Sequence, residues 1–150
     1  MGPRWNTKDA ARLFEGNACM IATLDIIRHC MKHRVPWVLE HPSTSKAWYL
    51  PEVLFGEAHP DVICSIADFC QYGSRWRKRT KFMSAFIDQQ DLHRVAHKCQ
   101  GHGKCSRTGK PHLQLTGQSP QGVAWTKIAQ PYPGRLCHSL AHALTSHARL

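Results

Sequence analysis

Residues 97–112, HKCQGHGKCSRTGKPH, hold the densest set of metal-binding side chains in the chain. Cys99, His102, Cys105 and His112 follow one another with two, two and six residues between them, and His97 is a fifth candidate. Thiolate sulfur and imidazole nitrogen are the donors that suit tetrahedral zinc. Glycines at 101, 103 and 109 and Pro111 would let the backbone wrap a small ion. Zinc is the metal that such a donor set would take. The spacing matches no standard zinc module and lacks a Cys-x2-Cys pair, so a glycine-rich basic loop with incidental cysteines stands as the alternative.

Two further stretches could do chemistry. In VPWVLEHPSTSKAW, Glu40 closes an apolar run that reads as a buried strand. A carboxylate at such a strand end lies where open α/β sheets keep their ligand crevices, and it could accept a hydrogen bond from a bound base. A plain cap on the following turn is the competing role. In QYGSRWRKRTKF, residues 71–82, Arg75, Arg77, Lys78, Arg79 and Lys81 surround Trp76 and Phe82. Strand alternation would put Arg77, Arg79 and Lys81 on one face, ready to pair with phosphate or carboxylate. A solvated edge strand accounts for the same lysines and arginines. Trp76, amid five cations, is the tryptophan suited to base stacking, whereas Trp5, Trp37, Trp48 and Trp125 read as packing residues. His138, His142 and His147 recur at helical spacing without a nearby acid, and read as solvent-facing histidines near a helix C-terminus.

Taken together, Glu40-His41-Pro42 and Gly73-Ser74-Arg75-Trp76-Arg77-Lys78-Arg79 resemble the DNA (cytosine-5) methyltransferase family. There a strand ends in Glu-Asn-Val or Glu-Asn-Pro, and a later segment reads Gly-x-Pro-Gln-x-Arg-x-Arg. The chain also looks like the back part of divergent members, with Gly16-Asn17 on the preceding helix, Cys99 to Cys105 in a Cys-rich loop, Pro111-His112 in a strand, and Tyr132-Pro133. The resemblance implies that Glu40 contacts the target cytosine, that Arg77 and Arg79 hold the active-site geometry, and that S-adenosylmethionine is the cofactor. It implies DNA rather than RNA as the partner.

The departures limit that reading. His41 replaces the family's Asn, and the Pro-Gln pair is absent. The Phe-x-Gly-x-Gly loop that cradles S-adenosylmethionine does not occur, and no cysteine follows a proline. Methyl transfer to a ring carbon needs a thiolate to attack first, so the chain alone is expected to be inert. The expectation is a single domain, residues 1–150, corresponding to the C-terminal portion of a methyltransferase-like catalytic domain. It would be completed by a missing N-terminal half or by self-association. A non-enzymatic, zinc-stabilised nucleic-acid-binding module and a decayed viral or mobile-element reading frame are the alternatives.

The elements that must position these groups are legible in outline. Thr7 to Arg34 reads as one helix with Thr7 as N-cap, ended by Pro36. Strands are expected at 36–40, 61–66 and 80–87, with short helices starting near Ser43 and over 88–95. An edge strand over 112–116 and a helix from Gly134 to about Ser146 complete the pattern. Helix followed by buried strand is half of a βαβ unit, so the fold class expected is α/β. It would be a partial Rossmann-like, methyltransferase-type sheet with flanking helices and a basic Cys/His-rich loop.

Composition sets the outer bounds. With 42% apolar and 20% charged residues in 150, the chain can build one hydrophobic core. No run approaches the roughly 18 apolar residues of a membrane span, and residues 1–8 carry no apolar signal core. Seven cysteines are an odd and irregular set, which favours reduced thiols and an intracellular, cytoplasmic or nuclear setting. Cys19, Cys30, Cys64 and Cys70 sit among apolar residues and read as small hydrophobes. The net charge of +10 is uneven: residues 91–150 carry eight Lys/Arg against one Asp/Glu, whereas residues 1–60 carry seven against six. That asymmetry points to a phosphate-rich partner.

Overall fold

The computed structural model describes residues 6–146. They form two compact units that meet at Val35 and Pro36.

The first unit is one helix, α1 (Thr7–His33). Its cap is Asn6, one residue earlier than expected, whose side-chain oxygen accepts from the Asp9 amide at 2.8 Å. Asp9 in the first turn and Lys32 and His33 in the last both complement the helix dipole. Arg34 ends the helix in the left-handed conformation, with φ of 53°, and Pro36 prevents its continuation. No α1 side chain is buried, and Phe14, Ile21 and Ile26 are exposed.

The second unit holds the sheet: β1 (Trp37–Pro42), β2 (Val62–Asp68) and β3 (Arg79–Ala85). The strand order is β1-β3-β2, and both outer strands run antiparallel to β3. The mixed helix-and-strand class stands, but the parallel pairing expected from the apolar run at β1 does not occur among the described residues. The reason is that a short apolar run records burial and carries no information on direction. In β1, burial alternates, with Trp37 and Leu39 inward. β3 is the central strand and is buried almost throughout, so the arginine-rich segment leads into the middle of the sheet rather than along its edge.

Between β1 and β2 lie a 3-10 turn (Lys46–Tyr49) and α2 (Pro51–Glu57), with Pro51 at the start of the helix, where its missing N–H costs nothing. The Trp48 indole donates to the Pro42 carbonyl at 2.9 Å and seals the end of β1. A second 3-10 turn (Phe69–Tyr72) follows β2. Then come α3 (Gln89–Val95), α4 (Trp125–Ile128) and α5 (Gly134–Thr145). Residues 112–116 form no strand: the segment is loop, and an isolated bridge between Lys104 and Pro111 lies just before it.

One core cluster comprises Ala67, Phe69, Tyr72, Phe82, Val95 and Leu136, with Val38, Trp76 and Leu140 against it. A second cluster of Ile87, Leu92 and Ala143 joins α3 to α5. Burying a side chain such as Phe82 contributes about 1.5–3 kcal/mol. Among the described residues no helix is long and apolar enough to cross a membrane.

Candidate metal centre and basic cleft

The 3-10 turn after β2 brings Cys70 into the Cys/His loop. Cys70, Cys99, Cys105 and His112 place their ligand atoms within 4.8 Å of one another, and the three cysteines are buried. The Cys99 sulfur lies 3.6 Å from His112 Nε2. Tetrahedral zinc, with bonds of about 2.3 Å to sulfur and 2.0 Å to nitrogen, needs ligand atoms roughly 3.5–3.8 Å apart. A modest contraction of the cluster satisfies that requirement, so the four donors fit a metal ion. Three of the expected ligands are present. His102 is not among them: it is exposed on the loop, and Cys70, read from the sequence as a hydrophobe, takes the fourth position. The spacing becomes Cys-x28-Cys-x5-Cys-x6-His. A ligand so far away in sequence is invisible to a local motif.

The surroundings supply the outer contacts that metal thiolates use. The Ser106 amide and hydroxyl approach the Cys99 sulfur at 3.4 and 3.5 Å. The Gln71 amide reaches Cys70 at 3.5 Å and Cys105 at 3.9 Å. Burial alone would raise the Cys99 thiol, but the Ser106 amide and hydroxyl outweigh it and bring it down to about 6. Burial pushes Cys70 up to about 12. Gly101 shapes the loop, since a Cβ there would stand 1.8 Å from the Lys104 carbonyl oxygen.

Asp68, fully buried at the end of β2, ties this loop to the sheet. It accepts from Arg79 Nε at 3.0 Å and from the Arg79 terminal nitrogen at 2.8 Å. Arg77 Nε and the Cys99 amide add bonds at 3.3 and 2.7 Å. Arg77 also donates to the Cys99 carbonyl at 2.8 Å. Burial raises the Asp68 carboxyl, and the Arg79 bonds, the Cys99 amide and both guanidinium charges more than reverse it, leaving it below the usual range.

Of the six side chains expected to meet nucleic acid, four are therefore engaged within the protein. Arg77 and Arg79 pair with Asp68, Lys81 pairs with Glu57 at 2.8 Å and lies over Trp48, and Lys78 sits over Phe69 at 4.6 Å. Arg77 and Arg79 converge on Asp68, and Arg79 and Lys81 stand two residues apart on β3, although Lys78, with φ of 22°, departs from extended backbone just before the strand. Arg75 is exposed. It lines a cleft of about 420 Å³ with Ser74, Arg107, Thr108 and Lys110, and the metal-cluster residues Cys105 and His112 form part of the wall. Arg107 and Lys110 were not singled out by sequence reading, because nothing in a local motif marks them as neighbours of Arg75. Trp76 lines a second cleft of similar volume.

Glu40 does more than cap a turn. Its two carboxylate oxygens accept from the Thr80 and Tyr132 hydroxyls. Burial, followed by the bond to Glu40 and its charge, raises the Tyr132 hydroxyl above the ordinary tyrosine range. In α5, His142 faces an acid after all: Asp91 lies 3.3 Å from its Nδ1, and accepts from the Ser146 hydroxyl at 2.7 Å. Cys19 and Cys64, expected to be packed, are exposed. Trp5 and His147 lie outside the described residues.

No family model, curated protein or solved structure matches this chain.

Proposed function

We propose that this chain is a nucleic-acid-binding domain whose binding surface is held in shape by zinc at Cys70, Cys99, Cys105 and His112. The observation that carries the reading is the basic cleft itself: Arg75, Arg107 and Lys110 line it together with Cys105 and His112, Arg107 also donating from Nε to the Cys70 carbonyl at 2.6 Å. The cations come from two segments distant in sequence, and Cys105 and His112 of the Cys/His cluster line the same cleft. Ser74 and Thr108 add hydroxyl donors on the same walls. Guanidinium, ammonium and hydroxyl groups together are the usual partners of a phosphodiester backbone. Bound zinc would cross-link the turn after β2 to the loop over 99–112, and the chain's own residues would bind phosphate.

Metal content and binding test this together. The purified protein is expected to carry about one zinc per chain, the stoichiometry of a closed four-ligand site. It should bind a DNA oligonucleotide with an affinity that falls steeply with salt, the slope reporting roughly three neutralised phosphates. Chelation should remove the metal and the binding together. Less than about a tenth of a zinc per chain would end the zinc assignment.

A second reading is favoured by the contact between Glu40 and Tyr132. These residues lie in two separate segments of the methyltransferase resemblance, Glu40-His41-Pro42 and Tyr132-Pro133. In this reading the sheet is one end of a larger Rossmann-like sheet and Glu40 faces the target base. Arg77 and Arg79 hold the site through Asp68, and S-adenosylmethionine binds residues that this sequence does not contain. A tritium-transfer assay with S-adenosylmethionine and DNA should show no turnover by this chain alone. Turnover would overturn the expectation that it is incomplete as an enzyme.

A further inference from the structure

The chain from Ser74 to Lys78 runs beside the segment 111–115, joined by the Leu113 amide donating to the Arg75 carbonyl at 2.9 Å. These two segments contribute to two clefts, and His112 belongs to both. One is the cation- and hydroxyl-lined cleft around Arg75. The other, also about 420 Å³, is walled by Trp76, Arg77, Lys78, His112, Leu113, Gln114 and Leu115. Both clefts carry cations, but Arg77 is paired with Asp68 and Lys78 lies over Phe69. What the second adds is an indole, two leucines and an exposed primary amide. Consecutive residues thus feed opposite clefts, Arg75 the first and Trp76 the second.

From this juxtaposition we infer that the ligand is a single-stranded nucleic acid, with its backbone in the Arg75 cleft and one unstacked base in the Trp76 cleft. The inference rests on the nucleic-acid reading above and narrows it. A duplex keeps its bases stacked and paired, so it offers phosphate to the first cleft but nothing to the second. A single strand can turn a base out against an aromatic face at little cost. The indole provides a sequence-tolerant stacking surface, and the leucines cover the base from water. Gln114 can both donate to and accept from a base edge. Trp76 also has a buried indole N–H with no acceptor among the described residues, a donor that a small local shift would offer to a base carbonyl or ring nitrogen.

Fluorescence anisotropy of the zinc-loaded full chain tests this with three labelled ligands of about a dozen nucleotides. These are a single-stranded oligodeoxynucleotide, its duplex, and the same single strand with the bases removed. The expected result is that the single strand binds about tenfold more tightly than either of the others, the scale of one base stack. Trp76→Leu should bring its affinity down to that of the base-free strand. Gln114→Ala should weaken it about threefold, the loss of one hydrogen bond. Equal affinity for all three ligands overturns the base cleft while leaving the nucleic-acid reading in place. Failure to bind any of them overturns both. Trp76 also packs on the core, so zinc content serves as the folding check. If Trp76→Leu loses its metal, Gln114→Ala decides the matter, because that side chain is exposed. Undiminished preference for the single strand in Gln114→Ala would then sink the proposal.

Discussion

Cys70 and Asp68 sit two residues apart, one facing the metal cluster and the other the arginines. Their substitution should separate metal loss from core failure. Cys70→Ser should reduce zinc content to well under half and expose the loop to protease, whereas His102→Ala should retain the full metal content. Retention of zinc by Cys70→Ser would return the fourth position to another ligand. Asp68→Ala leaves Arg77 and Arg79 facing each other without their carboxylate and leaves the Cys99 amide without an acceptor. The two arginines are 40% and 41% exposed and can turn to water. The main cost is therefore the stranded Cys99 amide, about 1–3 kcal/mol, and a urea titration should show a loss of that order. A loss under about 0.5 kcal/mol, the level of an ordinary surface substitution, would show that Asp68 is not the hub.

At the level of elements, two devices hold the second unit's periphery. The first is the tight turn at Gly101. Gly101→Ala would drive a methyl group into the Lys104 carbonyl, so the loop must open and metal affinity should drop by at least about tenfold, as seen when supporting contacts of a metal site are lost. Competition with a chromogenic chelator reads this directly. The second is Asp91, which joins α3 to α5 and its C-cap through His142 and Ser146, and pairs with Arg94 within α3. The Ser146 hydrogen bond, followed by the charges of His142 and Arg94, holds its carboxyl below the ordinary range. A depressed carboxyl stabilises the folded state above the unfolded-state pKa, about 3.9. That contribution is lost as pH falls from there through the folded value. Asp91→Asn should therefore lower Tm at pH 7, and the gap to the parent should close below about pH 4. A gap that persists unchanged at pH 3 would show that the aspartate acts through shape rather than charge.

For the molecule as a whole, a metal held at the four ligands would add to the stability that the sheet and core supply. A site saturated a thousandfold above its Kd adds about 4 kcal/mol to the folded state. Calorimetry with and without chelator should therefore separate the melting temperatures by roughly 10 °C. Coincident melting curves would mean that the four ligands hold no metal at equilibrium. The same preparations should lose nucleic-acid affinity in parallel, since the cleft walls come from segments that the cluster joins.

How much of this was legible in the sequence follows from the range of each interaction. Local physics determined α1, the three strands, α3 and α5, because periodicity, caps and prolines act over a few residues. Charge asymmetry likewise determined that the C-terminal part is basic, and three of the four metal-cluster residues crowd one loop. Tertiary structure alone decided strand direction and order, because apolar runs report burial and not partner. It alone brought in Cys70 across 28 intervening residues, and it turned His102 outward. It also divided the arginine run: Arg77 and Arg79 were paired with a buried aspartate that no local motif marks, while Arg75 lines a cleft with Arg107 and Lys110. Which cations face solvent depends on where the carboxylates end up, and that is settled only when the chain closes on itself.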